Sequence, residues 1–297
     1  MIRTVVFLML LQSTAPLQTP STLADPRIAL VTGSTDGIGK HTAKCLLNEG
    51  YKVLIHGRNQ RKVDDTIKEL SEQGNCVGVV ADLSTKLGCD SLCEAVLEKT
   101  DRLDVLINNA GVFQQERNIT NDGLELTFTV NVLAPFIITN KLLPLLRASA
   151  DARITIVSSI SMQDGPANID FDNLQFENGG FTSYNSYGIS KRLVAMFSKE
   201  LSRRIPSDEA LVISCDPGTV NTKMLKAGWG TLCGVELERA DNEFLLSTMK
   251  AKDEYHGNYF VGCRKTAPHP DVEDEENGKR LWDILERMMN VHVFWSE

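Results

Sequence analysis

A chain of 297 residues with 42% hydrophobic and 24% charged content has the make-up of a globular protein, long enough for one large α/β domain or two small ones. Its formal net charge of −8 argues against nucleic acid as a main partner, because a phosphate-binding face should be basic. Part of the acidic excess is local: Asp271, Glu273, Asp274, Glu275 and Glu276 precede a C-terminal helical pattern and read as a solvated helix start.

The first 24 residues do not resemble the rest. Val5 to Leu11 is apolar but too short to span a bilayer, and a Ser/Thr/Pro-rich stretch follows to Thr22-Leu23-Ala24, small residues of the kind found at cleavage sites. Residues 1–24 are therefore expected to be a targeting segment, with a tail or a surface membrane anchor as alternatives, and residues 25–297 the folded domain. No transmembrane span is expected. A targeting segment implies the secretory pathway or an organelle. The seven cysteines imply the opposite: odd in number and mostly set in segments read as buried strands or helix faces, they read as core thiols of a reducing compartment. No metal site is expected, since Cys89 and Cys93 have no histidine pair nearby and the five histidines form no ligand pattern.

From Ile28 onward, short apolar runs alternate with helical patterns. Strands are expected at 28–31, 52–56, 76–81, 104–107, 153–157, 211–215 and 259–262, with helices at 37–48, 60–73, 123–147 and 184–204. That alternation predicts βαβ units around a buried, mostly parallel sheet of seven strands in one doubly wound α/β domain.

The first strand runs into Thr32-Gly33-Ser34-Thr35-Asp36-Gly37-Ile38-Gly39, and a helix begins at once. A strand feeding a helix through glycines leaves backbone N–H groups free and lets a pyrophosphate approach the positive end of the helix. A tight turn alone would also ask for glycine. Strand two ends at Gly57-Arg58, with no acid before Asp64; an arginine there can hold a 2′-phosphate, which favours NADP over NAD. Asp36 in the glycine turn counts modestly the other way. Asp82 and Leu83 after strand three stand where an adenine would lie, although Asp82 could equally be a helix cap. Asn109, Ala110 and Gly111 close strand four and suit backbone contact with a cofactor.

Tyr187 and Lys191 are four positions apart on a helix and so share a face. A free tyrosine has a pKa of about 10, and a nearby ammonium should lower it, making the phenol able to give or take a proton. Ser158-Ser159 ends strand five, where a hydroxyl can reach the same substrate oxygen.

In this order the motifs resemble those of the short-chain dehydrogenase/reductase family over about residues 28–262. The resemblance implies a Rossmann-type fold and assigns Asn131 to a water relay, and Ser159, Tyr187 and Lys191 to catalysis. It also places Pro217, Gly218, Val220 and Thr222 at the nicotinamide. The insert Gln163–Phe181 and the late Gly257–Phe260 segment look like the retinol-dehydrogenase-like and WW-domain-oxidoreductase-like branch.

The expected activity is NADP(H)-dependent interconversion of an alcohol and a carbonyl on an apolar or aromatic small molecule. The substrate pocket is expected between the Gln163–Phe181 insert and residues 223–236, including Met224, Leu225, Trp229 and Leu232. Family members pair through the helices bearing Asn131 and Tyr187, which implies a homodimer or homotetramer. A cofactor-binding sensor with little turnover is the rival reading. The intact Asn131/Ser159/Tyr187/Lys191 set counts against it, because a sensor needs no poised phenol.

Overall fold

The computed structural model describes residues 25–230, 233–250 and 253–289. The expected targeting segment and Leu232 lie outside the described residues.

Seven parallel strands form the sheet: β1 (Ile28–Val31), β2 (Lys52–Gly57), β3 (Cys76–Val80), β4 (Val105–Asn108), β5 (Arg153–Val157), β6 (Leu211–Asp216) and β7 (Tyr259–Val261). An eighth, β8 (Arg264–Thr266), pairs antiparallel with β7, giving the order β3-β2-β1-β4-β5-β6-β7-β8. Its three residues include two exposed cations, so the apolar pattern that marks the other strands is missing.

The longer helices are α1 (Gly37–Asn48), α2 (Gln60–Leu70), α3 (Lys86–Leu97), α4 (Leu126–Arg147), α5 (Ser183–Arg204), α6 (Lys223–Trp229), α7 (Asn242–Thr248) and α8 (Glu275–Met289). Successive strand residues point to opposite faces, and both faces are covered. Leu30, Leu54, Leu106 and Ile154 pack under α3, α4, α5 and α8; Val31, Ile55, Ile107 and Ile213 pack under α1, α2 and α7. This two-sided burial explains why the strands read as continuous apolar runs.

Helix α4 starts three residues later than expected, where the Glu125 carboxylate accepts the Phe128 N–H at 2.7 Å. It passes through a π turn at Thr129–Leu133 before continuing. By length and composition alone α4 could cross a membrane, but 83% of its apolar window is buried in the fold, the burial of a core helix.

The acidic stretch before α8 is only partly solvated. Asp271 is buried and pairs at 3.1 Å with Arg192 of α5, which is itself fully buried. The same guanidinium donates to the carbonyls of Met162, Asp164 and Pro166, fixing the start of the Gln163–Phe181 insert.

The sheet order reverses between β1 and β4, which opens a crevice beyond the carboxyl ends of those strands. Val31 lies level with both Ile55 and Ile107, so the turns after β1, β2 and β4 meet at that crevice.

Candidate active site

A cavity of about 920 Å³ occupies the crevice, and its lining gathers residues from eight separate stretches of sequence. At one end lies the glycine turn. Gly37 sits at φ +56° and presents bare backbone; a Cβ there would have only the Thr222 methyl, at 3.7 Å, within reach. Asp36 caps α1 by accepting the Gly37 N–H at 2.9 Å, so the positive end of α1 faces the cavity.

Thr32 stitches this turn to the end of β4. Its hydroxyl accepts the N–H groups of Asn109 and Ala110, both at 3.0 Å, and its carbonyl accepts the Asn109 amide at 2.7 Å. Arg58, Asp82 and Leu83 line the same end; Arg58 is exposed where β2 gives way to α2.

Of the expected cofactor residues, Ser34 alone is turned away from the cavity. It is fully buried, donating to the Val31 carbonyl (2.8 Å) and accepting the His56 N–H (2.9 Å). His56, expected to have no part in the site, holds its turns together. Its Nδ1 accepts the Gly33 N–H at 2.9 Å and its Nε2 lies 3.1 Å from the Ala81 carbonyl, so the ring joins the turns after β1, β2 and β3. Burial holds its pKa down at about 4, which keeps the ring neutral and able to do both. A histidine ending an otherwise apolar strand was the available signal.

At the other end are Ser159, Tyr187 and Lys191. The Tyr187 hydroxyl has Ser159 beside it and lies 3.9 Å from the Met224 sulfur. The Lys191 ammonium donates to the Val157 carbonyl at 2.9 Å and sits 5.6 Å from the centre of the Tyr187 ring. The shared helix face is present, but the expected lowering of the tyrosine pKa is not. Burial is the largest influence and pushes the phenol up to about 12, outweighing the nearby Ser159 hydroxyl, which pulls the other way. Burial also brings Lys191 down to about 8. A further carboxyl, Glu243 on α7, is fully buried and held up at about 7 against the pull of Thr42 and Lys191.

Asn131 stands behind the cavity wall, in the π turn of α4. Its Oδ1 accepts the Val112 N–H (2.8 Å), while its Nδ2 donates to the Val112 carbonyl (3.0 Å) and to Ser190 Oγ (2.9 Å). A Cβ on Gly111 would lie 3.4 Å from both Asn131 Oδ1 and Lys191 Nζ, so these groups flank the same strand end.

Asp216 at the end of β6 joins the two sides. Its carboxylate accepts the Ile160 N–H, next to Ser159, and the Gly218 N–H, each at 2.5 Å. The loop that follows carries Pro217, Gly218, Val220 and Thr222 along the cavity, and Thr222 caps α6. Lys223 then reaches across the cavity mouth to pair with Asp36. This pairing offsets the effect of burial and holds the Asp36 carboxyl below its usual range. The negative charge in the glycine turn is thus matched from within the protein.

Met224, Leu225 and Trp229 line the cavity as expected, but the insert contributes only Asp164. Phe171 and Leu174 are instead buried in the core, and the insert walls a separate cavity around Gly165, Ile169 and Phe176. Its apolar residues serve packing. An aromatic cluster that the sequence did not signal packs behind Tyr187 and Trp229: Phe113, after β4, lies 5.4 Å from both of their rings and 5.6 Å from Tyr184.

A family model described as short chain dehydrogenase matches residues 27–170. Human (Homo sapiens) retinol dehydrogenase 13 is 32% identical over 286 residues, an alignment covering 90% of this chain and 86% of that protein. The chicken (Gallus gallus) WW domain-containing oxidoreductase is 28% identical, covering 90% of this chain and 69% of the relative. Among solved structures, the Pseudomonas aeruginosa RhlG/NADP active-site complex superposes with a TM-score of 0.64 at 28% identity, over 79% of this chain and 94% of that one.

Proposed function

Because the chain belongs to the short-chain dehydrogenase/reductase family, in its retinol-dehydrogenase-like branch, we propose that this oxidoreductase interconverts an alcohol and a carbonyl with NADP(H) on an apolar or aromatic small molecule. The observation that carries this reading is that Ser159, Tyr187 and Lys191 line one end of a cavity whose other end is a bare glycine turn at a helix N-terminus. The residues present fit a dinucleotide: Gly37 offers unobstructed backbone, α1 offers its positive end, and Arg58 offers a cation where a 2′-phosphate would lie.

When bound, the nicotinamide supplies or accepts the hydride. The chain's own residues do the rest. Ser159 and Tyr187 orient the substrate oxygen between two hydroxyls. Tyr187 donates its phenolic proton to that oxygen in reduction and takes one from it in oxidation. Lys191 places a positive charge against the tyrosine ring, and Asn131 holds the Val112 backbone beside it for a water relay. Phe113 and Trp229 pack against the Tyr187 ring, and Tyr184 packs on both, which favours a flat or apolar partner over a sugar or a short acid.

A phenol held up at about 12 stays protonated through neutral pH and is ready to donate. Reduction is therefore expected to be nearly independent of pH between 6 and 8. Oxidation needs the phenolate, so its rate should rise by about tenfold per pH unit over that range. Initial rates in both directions would show this; an oxidation rate flat with pH would remove Tyr187 from the proton step.

Arg58→Ser should weaken NADPH binding by about 10- to 100-fold, the loss of a hydrogen bond to a charged group worth roughly 1.5–3 kcal/mol. NADH affinity should change by less than about twofold, since that cofactor has no 2′-phosphate. Equal losses for both cofactors in a fluorescence titration would assign Arg58 to structure instead.

The activity itself is tested by following NADPH and NADH consumption against retinal, a steroid ketone, an aromatic aldehyde and a quinone. Turnover with NADPH on an apolar carbonyl is the expected result. Tight NADPH binding with no turnover on any of them would favour a cofactor sensor. The same proposal takes residues 25–297 as the catalytic domain and residues 1–24 as its targeting segment.

A further inference from the structure

Away from the cavity lining, α1 and the turn before α7 bring three metal-ligating side chains to one point. His41 and Cys45 are one helical turn apart and share a face of α1. Asp241 arrives from a distant part of the chain. It stands at the start of α7 without capping it, its carboxylate directed at the other two. His41 Nε2 lies 2.7 Å from Asp241 Oδ1, and Cys45 Sγ lies 3.5 Å from that nitrogen and 3.8 Å from that oxygen.

A cysteine–histidine–aspartate proton relay does not fit. A relay uses the two nitrogens of the ring for its two partners, whereas here thiol and carboxylate meet the same Nε2. Burial first, and Asp241 next, also push the thiol up to about 11, away from a reactive thiolate. Convergence of three donors on one point is instead what an ion requires.

We propose that His41, Cys45 and Asp241 bind one zinc ion, with water as the fourth ligand. Bond lengths of about 2.0–2.3 Å around a tetrahedral zinc put ligand atoms roughly 3.3–3.8 Å apart. The sulfur already sits at that spacing, and the His41–Asp241 pair need only open as the proton between them leaves. Thiolate, imidazole and carboxylate together suit zinc and not magnesium or calcium. Binding converts the Cys45 S–H bond to S–Zn and releases that proton, so affinity rises with pH. The half-exposed Asp241 gives the ion its way in. Asn242, the next residue, donates to the Pro217 carbonyl at 3.0 Å. The ion therefore clamps α1, which leads out of the glycine turn, to the loop on the opposite side of the crevice.

Spacing in the sequence shows only the His41–Cys45 pair. The third ligand lies 196 positions beyond Cys45.

The test uses the full-length chain, stripped of metal and dialysed against zinc(II) or cobalt(II). Expected are one zinc per chain retained through desalting, and a thiolate-to-cobalt charge-transfer band in the near ultraviolet. Cys45→Ser should abolish the band, and Asp241→Asn, a surface change that does not threaten the fold, should weaken zinc binding by about 100-fold. Cys233→Ser should leave both unchanged. No retained zinc, or the same band in Cys45→Ser, would overturn the assignment. None of these readouts needs turnover, so they stand apart from the proposed activity.

Discussion

Tyr187→Phe is expected to lower turnover by about 10³-fold or more while changing NADPH affinity by less than about twofold. Only one oxygen is removed, and it is the one that lines the cavity beside Ser159. The ring itself survives, with its packing against Phe113 and Trp229, so the variant should fold and melt like the parent. Neither neighbour can take over. Ser159 is a hydroxyl with no base of its own, and the Lys191 ammonium is already committed to the Val157 carbonyl. Single-turnover mixing separates the outcomes: loss of the chemical step at unchanged binding supports the assignment, and residual rates within tenfold of the parent would defeat it.

Gly39→Ala is the second large effect. The new methyl carbon would stand 2.3 Å from the Asn109 amide nitrogen and 2.8 Å from the Gly33 carbonyl. The amide cannot retreat freely, because it donates to the Thr32 carbonyl at 2.7 Å. Either α1 shifts outward or the stitch between β1 and β4 opens, and both distort the cradle. A stability loss of about 1–3 kcal/mol is expected from the overpacking, with NADPH affinity falling by about 100-fold. Thermal melting and fluorescence titration would check the pair; a variant that binds NADPH normally would show that the cradle tolerates the shift.

Much of this site was legible in the sequence, for a physical reason. A parallel sheet covered on both faces writes each strand as an apolar run, and the turns at the strand ends must then carry the polar chemistry. Thr32 to Gly39, Asn109 to Gly111 and Ser159 are thus readable from sequence as neighbours at one edge. What escaped depended on distance and depth. The i, i+4 spacing of Tyr187 and Lys191 reveals a shared face but not how far both are sunk, and depth decided the direction of the phenol's pKa. Apolar residues in the Gln163–Phe181 insert fit a pocket wall and a core equally well in sequence; the buried Arg192 anchor turned them to the core. Phe113 carried no signal, since one aromatic residue after a strand has no period to betray its role.

The Lys223–Asp36 pair at the cavity mouth has a kinetic consequence. It ties the glycine turn to the first residue of α6, across the path a dinucleotide must take, whereas the aromatic side stays open at Tyr184 and Trp229. Substrate and product are then expected to exchange while the nucleotide is held, and initial-rate kinetics should be ordered, with the nucleotide first on and last off. Both partners of the pair are exposed, so added salt screens it. Nucleotide release, the slow exit in such a scheme, should quicken as ionic strength rises, and Lys223→Gln should show fast release that salt no longer changes.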